Sequence, residues 1–180
     1  MQKKLCVYKV PKIVVGLDLS LAATGVAAAY AICWSIDLSR VSTFAVGEKL
    51  PRDASAQLRA SRLALITNKI VGYVAACECK NVFVEGYSYG KQFTAHQLGE
   101  LGGAVKYALW ERRGVAAMPV PPTSVRKFFL GRSGKGSKDA VADALKKLSA
   151  PFKGDEGDAF VVMNFGIAEL GYRAMAGVTL

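Results

Sequence analysis

Short apolar runs divide this chain into five predicted β-strands. A continuous run of apolar residues bounded by turn or polar residues is typical of a strand covered on both faces. The first run ends in Asp18, the third ends before Gly47, and the fourth ends in Glu85. The predicted strands are Ile13 to Leu17, Thr24 to Trp34, Val41 to Val46, Asn81 to Glu85 and Val115 to Val120.

Apolar residues spaced by three and four predict helices between these strands. In the first helix, from Asp53 to Cys77, we expect Asp53 to be the N-cap and Leu63, Ile66, Ile70, Val74 and Cys77 to form the apolar face. The later helices are predicted from about Phe93 to Arg113, from Thr123 to Leu130, after a Ser137 cap through Val141, Leu145 and Leu148, and from about Glu156 to Arg173.

The order of these elements predicts an α/β fold with a mixed five-stranded sheet flanked by helices. Three strands in succession indicate an antiparallel meander, and the later strands alternate with helices. A right-handed crossover would make the first strand the parallel neighbour of the strand that ends at Glu85. Such sheets bind ligands at the carboxyl ends of their parallel strands, where Asp18 and Glu85 stand.

Length and charge restrict the class of protein. The 180 residues are 52% hydrophobic, which is enough for one domain with a real core, preceded by a basic extension over residues 1–11. The net charge is +10, and the pI is about 9.6. In so apolar a chain this excess indicates a polyanionic partner, either nucleic acid or an anionic membrane surface.

The cysteines and the longest uncharged segment indicate a cytoplasmic protein. Cys6, Cys33, Cys77 and Cys79 lack the spacing of a zinc site and are expected to be reduced. Residues 19–34 are 16 consecutive uncharged residues, within an uncharged run that continues to Ile36 and is still shorter than the roughly 20 that a membrane span needs. We expect buried sheet there, no export, and a bacterial or phage-infected cell as the setting, with an organellar matrix as an alternative.

Four carboxylates are candidates for the chemistry. Asp18 and Glu85 end apolar strands, and Asp155 and Asp158 share one face at the start of the last helix, whereas Glu156 is expected to face solvent. Oxygen ligands of this kind suit Mg²⁺, with Mn²⁺ as a substitute, and a pair of such ions can hydrolyse a phosphodiester. The alternatives are that the strand-end acids only close turns and that Asp155 only caps its helix.

A basic segment is the candidate nucleic-acid surface. Residues 125–147 contain seven basic and two acidic side chains. The difference, +5, is half of the net charge of the chain. Lys146 and Lys147 fit a solvated helix face, whereas a cation such as Lys138 is disfavoured near a helix start unless it meets an anion. The predicted DNA-binding residues of this segment are Arg126, Lys127, Arg132, Lys135 and Lys138.

Glycines in the predicted helix from Phe93 onward point to close packing. Gly99, Gly102 and Gly103 each cost up to about 1 kcal/mol of helix propensity relative to alanine. Packing inside the monomer would explain them. The other interpretation is a two-fold interface that involves Leu98, Leu101 and Val105.

Taken in order, these motifs resemble those of the RuvC-type Holliday junction resolvases over about residues 13 to 170. The residues that carry the resemblance are Gly16 to Ser20, Thr24-Gly25, Val84-Glu85, Gly99, Gly103, Pro122 to Lys127, Gly131, Lys138, Asp155 and Asp158-Ala159. The resemblance implies an RNase H-like fold, a homodimer, and Mg²⁺-dependent paired nicking of four-way DNA junctions. It also implies that Asp18, Glu85, Asp155 and Asp158 are the catalytic, metal-binding acids.

The chain departs from this family at two places. Leu19-Ser20 replaces the Pro-Gly that usually follows the first acid, a variant associated with phage-encoded members. Ser88 occupies the position of an aromatic wedge, but Tyr87 and Tyr89 flank it and are candidates to stack on a DNA base.

Three other activities compete with junction cleavage. A related nuclease could act on other branched DNA or on RNA–DNA hybrids, and a DNA-binding module would need no catalysis. An actin-like phosphotransferase would need a second such domain, so length excludes it. Four intact acids argue against the binding module, and the related nuclease stays open.

Overall fold

The computed structural model describes residues 12–31, 36–86, 92–131 and 138–175. Its strands are β1 Lys12–Asp18, β2 Thr24–Ala31, β3 Ser42–Val46, β4 Asn81–Glu85 and β5 Met118–Val120. Its helices are α1 Ala56–Ala76, α2 Gln92–Arg113, α3 Pro122–Leu130, α4 Lys138–Lys147 and α5 Gly154–Met175, with a short 3-10 turn at Leu38–Arg40.

The strands form one mixed sheet in the order β3-β2-β1-β4-β5. The first three strands pair antiparallel, and β1 pairs parallel with β4, which pairs parallel with β5. The predicted meander, the predicted parallel pairing of the first strand with the strand ending at Glu85, and the five-stranded α/β class are all confirmed.

Alternate residues of the central strands enter two separate cores. On β1, Val14 packs in the core with α5, and Val15 packs in the core with α1 and α2. The same alternation on β4 places Phe83 on the α5 side and Val84 on the opposite side. Because side chains of a strand alternate between faces, Asp18 and Glu85 share the α5 face with Val14 and Phe83.

Two glycines allow α5 to lie directly on the sheet. A Cβ atom at Gly16 would overlap the backbone of Ala159 and Met163, and one at Gly25 would overlap the carbonyl group of Asp155. Only glycine therefore fits these two positions at this helix–sheet distance. The contact at Gly25 fixes where the first turn of α5 stands over the end of β1, because Gly25 pairs with Asp18.

The predicted N-cap of α1 is wrong. Ser55 occupies this position, and its side chain accepts a hydrogen bond from the Leu58 backbone N–H at 3.2 Å. Serine and aspartate are about equally good N-caps, so the choice between Ser55 and Asp53 depends on where the chain leaves the preceding turn. The Ala54 N–H donates to the Pro51 carbonyl, which places Asp53 in that turn.

The fifth strand is shorter than predicted because the first residues of the predicted strand form the turn that ends α2. Gly114 has a φ of 63°, a left-handed conformation common after the last residue of a helix. The N–H of Val115 then donates back to the Leu109 carbonyl at 3.2 Å. Val115 is buried in the core of α1 and α2, as an apolar residue should be, but the chain joins the sheet only at Met118.

The predicted apolar face of α4 is correct for two of its three residues. Val141 and Leu145 are buried, but Leu148 is 55% exposed and lies after the last helical residue. Ser149 has a φ of 54°, and the Ala150 N–H donates to the Leu145 carbonyl, so the chain reverses there. Phe152 and Ala150 take the place in the core that was assigned to Leu148. Ser137 lies outside the described residues.

Packing of α2 contradicts part of the predicted two-fold interface. Leu101 and Val105 are fully buried in the core that α1 and α2 form with the sheet, so they cannot contact a second chain. A Cβ atom at Gly99 or Gly103 would meet no described atom within 4 Å. These two glycines therefore lie on the open face of α2, opposite the residues predicted to form the interface.

The uncharged segment that begins at residue 19 contains β2, as predicted, with its predicted continuation through residues 32–34 outside the described part. Thr24–Ala31 is buried at seven of its eight positions between β1 and β3. Within the described residues, no helix combines the length and the apolar character needed to cross a membrane.

Candidate active site

The site forms where the carboxyl end of β1 meets the first turns of α5. Asp18 is the last residue of β1, half-buried, and follows a strand whose four preceding residues are buried. Asp155 lies in the first turn of α5, and Asp158 lies one turn further along the same face. Because α5 begins at Gly154, Asp155 is inside the helix and is not its N-cap.

The structure brings three of the four predicted acids together. One carboxylate oxygen of each of Asp18, Asp155 and Asp158 lies within 4.8 Å of those of the other two. All three side chains are half-buried. Two independent features produce this arrangement, namely the strand end that presents Asp18 and the close approach of α5 that Gly25 permits.

The chemistry of this acidic triad (Asp18, Asp155 and Asp158) fits a divalent cation. Three carboxylates this close repel one another, and burial reduces the screening that water would give them. The positive end of the α5 dipole offsets only part of that charge. Carboxylate oxygens are hard ligands that Mg²⁺ and Mn²⁺ prefer, so the donor set suits the predicted ions.

Glu85 lies beside the acidic triad but is not a member of it. The parallel register pairs Leu17 with Val84, so Asp18 and Glu85 are the next residues of two adjacent strands and face the same side. Glu85 is half-buried and lines a cavity of about 430 Å³ with residues of β5 and α2. The structure thus places all four predicted acids at the carboxyl end of the central strands, and three of them are close enough to bind one metal ion.

The prediction that Glu156 faces solvent is wrong. Its side chain is half-buried and accepts a hydrogen bond from the hydroxyl of Thr43 on β3. Glu156 therefore ties the first turn of α5 to the third strand of the sheet, between the two acids of the triad that this helix supplies.

Thr24 has a structural role in the site, which its place in the sequence motifs did not indicate. It is fully buried, its hydroxyl donates to the carbonyl of Ser20, and the Ser20 N–H donates back to the hydroxyl oxygen at 3.1 Å. These two bonds close the loop that follows Asp18. They restrict the backbone on which the Asp18 carboxylate stands.

Helix α3, which carries the predicted DNA-binding residues Arg126 and Lys127, begins at the same end of the sheet as the acids. The helix starts directly after β5, whose Val120 pairs with Glu85. Arg126 is half-buried, and Lys127 is exposed. Lys138 is the first residue of α4, next to Asp139, which lines a cavity of about 330 Å³ together with Asp158. Four other predicted residues lie outside the described part of the chain, namely Arg132, Lys135, Tyr87 and Tyr89. For Lys138, the structure describes the backbone but not the side chain.

One of the two described cysteines, Cys79, has a structural role. Cys79 is buried, and its thiol donates to the backbone carbonyls of Ile13 and Asn81 at 3.2 and 3.3 Å. Burial raises the pKa of this thiol to about 11, so it is protonated at neutral pH. Both described cysteines lie at the end of α1, away from the acids.

Mg²⁺ should stabilise the folded protein through the acidic triad. At tenfold excess over its dissociation constant, a bound ion adds about 1.4 kcal/mol and should raise Tm by roughly 3–6 °C for a chain of this size. Asp158→Asn should remove the increase, whereas Asp53→Asn, at an exposed acid before α1, should retain it. Thermal unfolding with and without MgCl₂ measures both, and an equal increase in the two variants would place the ion elsewhere.

Comparisons with known proteins agree with this fold. No protein-family profile and no curated protein matches the sequence. Thermus thermophilus RuvC in complex with a Holliday junction substrate is similar in structure, with a TM-score of 0.70 and 21% identity over 92% of this chain and 96% of that one. A second Thermus thermophilus RuvC structure gives a TM-score of 0.64 and 20% identity over 89% of this chain and 97% of the other. The chain therefore has the RuvC fold, an RNase H-like sheet with flanking helices, along nearly its whole length.

Proposed function

We propose that this protein is a Mg²⁺-dependent endonuclease that resolves Holliday junctions by paired hydrolysis of two phosphodiester bonds. The observation that supports this most directly is the acidic triad at the carboxyl end of β1, in a chain of +10 net charge. An acidic site in a basic protein is the combination needed to hold cations against a polyanion. The RuvC structure of the same fold carries a Holliday junction substrate.

The four acids would divide the work by position. Asp18, Asp155 and Asp158 would hold a first ion, and Glu85 with Asp18 would hold a second, because these two acids end adjacent strands. Bound at this site, the ions would activate water and stabilise the leaving oxygen. Thr24 and Glu156 would keep Asp18 and the first turn of α5 in place through their hydrogen bonds.

Positive side chains near the site would bind the DNA backbone. Arg126 and Lys127 on α3, Lys138 at the start of α4, and Arg132 and Lys135 in the segment between these helices are the proposed phosphate contacts. Such contacts supply affinity without sequence preference. Discrimination between junctions and linear duplex would come from the arrangement of two such surfaces.

A homodimer would supply those two surfaces, because two symmetric cuts need two sites. The face of α2 that carries Gly99 and Gly103 is the proposed contact, replacing the buried Leu101 and Val105. The glycines leave open space on this face, and Tyr107 and Trp110 further along α2 are 69% and 62% exposed. Sedimentation equilibrium with Gly103→Arg should show monomers if this face forms the dimer.

One cleavage assay tests the proposal against its alternatives. End-labelled four-way junction, flap, RNA–DNA hybrid and linear duplex are incubated with wild-type protein and MgCl₂. Paired nicks in the junction, with little product from the duplex, support the proposal. Preferential cutting of the flap or hybrid favours the related nuclease, and binding without cleavage of any substrate favours the DNA-binding module.

A tyrosine that follows Glu85 should open the centre of the junction. Tyr89 is the preferred candidate, since Tyr87 stands two residues after Glu85 and would pack beside the site if the strand continued. Base–aromatic stacking is worth about 1–3 kcal/mol. Fluorescence of 2-aminopurine at the branch point should rise when wild type binds and stay low with Tyr89→Ala. A normal rise with both Tyr87→Ala and Tyr89→Ala would exclude an aromatic wedge.

A further inference from the structure

A groove at the edge of the sheet opens directly beside Glu85. It has a volume of about 430 Å³, within the range of small-molecule sites. Its walls come from three elements, which are the end of β4, the strand β5 with the first residue of α3, and the side of α2. The residues that line it are Val84, Glu85, Gly86, Lys106, Pro119, Val120, Pro121 and Pro122.

Among the residues that the structure describes, Lys106 is the one cation that lines this groove. It is exposed on α2, and among the described residues it forms no salt bridge. The opposite wall is apolar and is built mostly from proline rings. A groove with one unpaired ammonium group and an apolar wall is suited to an anion attached to an apolar or ring-shaped group.

The backbone of β5 argues against a peptide strand as the occupant. β5 is the edge strand of the sheet, and edge strands can pair with an added chain. Pro119 and Pro121, however, have no N–H groups to donate to such a chain. A sugar ring does not need these donors, and it can pack on the proline rings.

We propose that this groove holds one nucleotide of the DNA strand that is cut, with Lys106 binding a phosphate next to the scissile one. The inference rests on the proposed nuclease function and adds a substrate-binding residue to it. Two observations support it. Glu85 belongs to both the groove and the group of four acids, so a strand lying over the acids continues into the groove, and the free charge of Lys106 matches a phosphate.

Substitution of Lys106 should lower the efficiency of junction cleavage and the salt dependence of DNA binding. Lys106→Ala should lower kcat/KM for junction cleavage about tenfold or more, the effect expected for one hydrogen bond to a charged group. It should also reduce the slope of log K against log salt by about 0.9. Lys106→Arg should retain most activity, and Lys69→Ala, which removes an exposed lysine of α1 outside the groove, should change neither quantity.

Neutral phosphates in the DNA identify the contact. Junctions carrying a single methylphosphonate on either side of the cut are compared with normal DNA for wild type and Lys106→Ala. With wild type, one neutral position should slow cleavage by about the same factor as Lys106→Ala does. With Lys106→Ala, a methylphosphonate at that same position should slow cleavage no further, because two changes that remove one contact are not additive.

Two outcomes would overturn the assignment. If every methylphosphonate slows wild type and Lys106→Ala equally, Lys106 acts only through the general field of the protein. If Lys106→Ala matches Lys69→Ala in cleavage and salt dependence, the groove holds no nucleotide. Wild type runs in each assay, so a failure of the nuclease function itself would appear as absence of wild-type cleavage and is distinguished from both.

Discussion

Asp158→Asn should abolish cleavage of a four-way junction and leave binding of that junction close to wild type. Asparagine keeps the shape of the side chain but removes the charge and one strong oxygen ligand from the acidic triad. Metal ions contribute several kcal/mol to stabilising the transition state, so the rate should fall about thousandfold or more. Asp18→Asn and Glu85→Gln should behave alike, measured by single-turnover cleavage and by gel shift in Ca²⁺.

Asp53→Asn is the matched control, because this exposed acid precedes α1 and touches none of the four. It makes the same change in net charge, so a general increase in DNA affinity would appear in it as well. Substantial cleavage by Asp158→Asn in Mg²⁺ would remove this residue from the site. Loss with Asp18→Asn but not with Glu85→Gln would instead restrict the chemistry to the triad.

The sheet could be predicted from the sequence because the bounds of its strands depend on residues close together along the chain. The apolar run from Asn81 to Glu85 has the same bounds in the structure, since a polar residue stands at each end of it. Parallel pairing of this strand with β1 followed from the handedness of crossovers. These rules also place Asp18 and Glu85 at the carboxyl ends of adjacent strands. They contain no distance, so they could not show that three of the four predicted acids have carboxylate oxygens within 4.8 Å of one another.

The remaining features depend on partners far apart along the chain. Thr43 and Glu156 are 113 positions apart, and no periodicity relates them. The ends of α2 and α4 depend on left-handed residues at Gly114 and Ser149, and the second of these is not a residue that usually marks such a turn. The solvent-facing prediction for Glu156 and the core prediction for Leu148 failed for these reasons.

Gly25→Ala should both destabilise the protein and inactivate it. In the sequence, Gly25 stands out only as part of the Thr24-Gly25 motif. In the structure, a Cβ atom at Gly25 would overlap the carbonyl of Asp155, which is backbone and cannot rotate away. The first turn of α5 would have to move off β2 and carry Asp155 and Asp158 away from Asp18. Overpacking of this kind costs about 1–3 kcal/mol or more, measurable by urea unfolding.

Gly72→Ala is the control that separates this effect from the general cost of replacing a glycine. A Cβ atom at Gly72 would meet nothing within 4 Å, and the residue lies inside α1. Alanine there should stabilise the protein by up to about 1 kcal/mol and leave cleavage unchanged. If Gly25→Ala unfolds at the wild-type urea concentration and still gains stability from Mg²⁺, the acids do not depend on contact between α5 and β2. If it folds but shows neither Mg²⁺ stabilisation nor cleavage, that contact sets the distance between Asp18 and the two acids of α5.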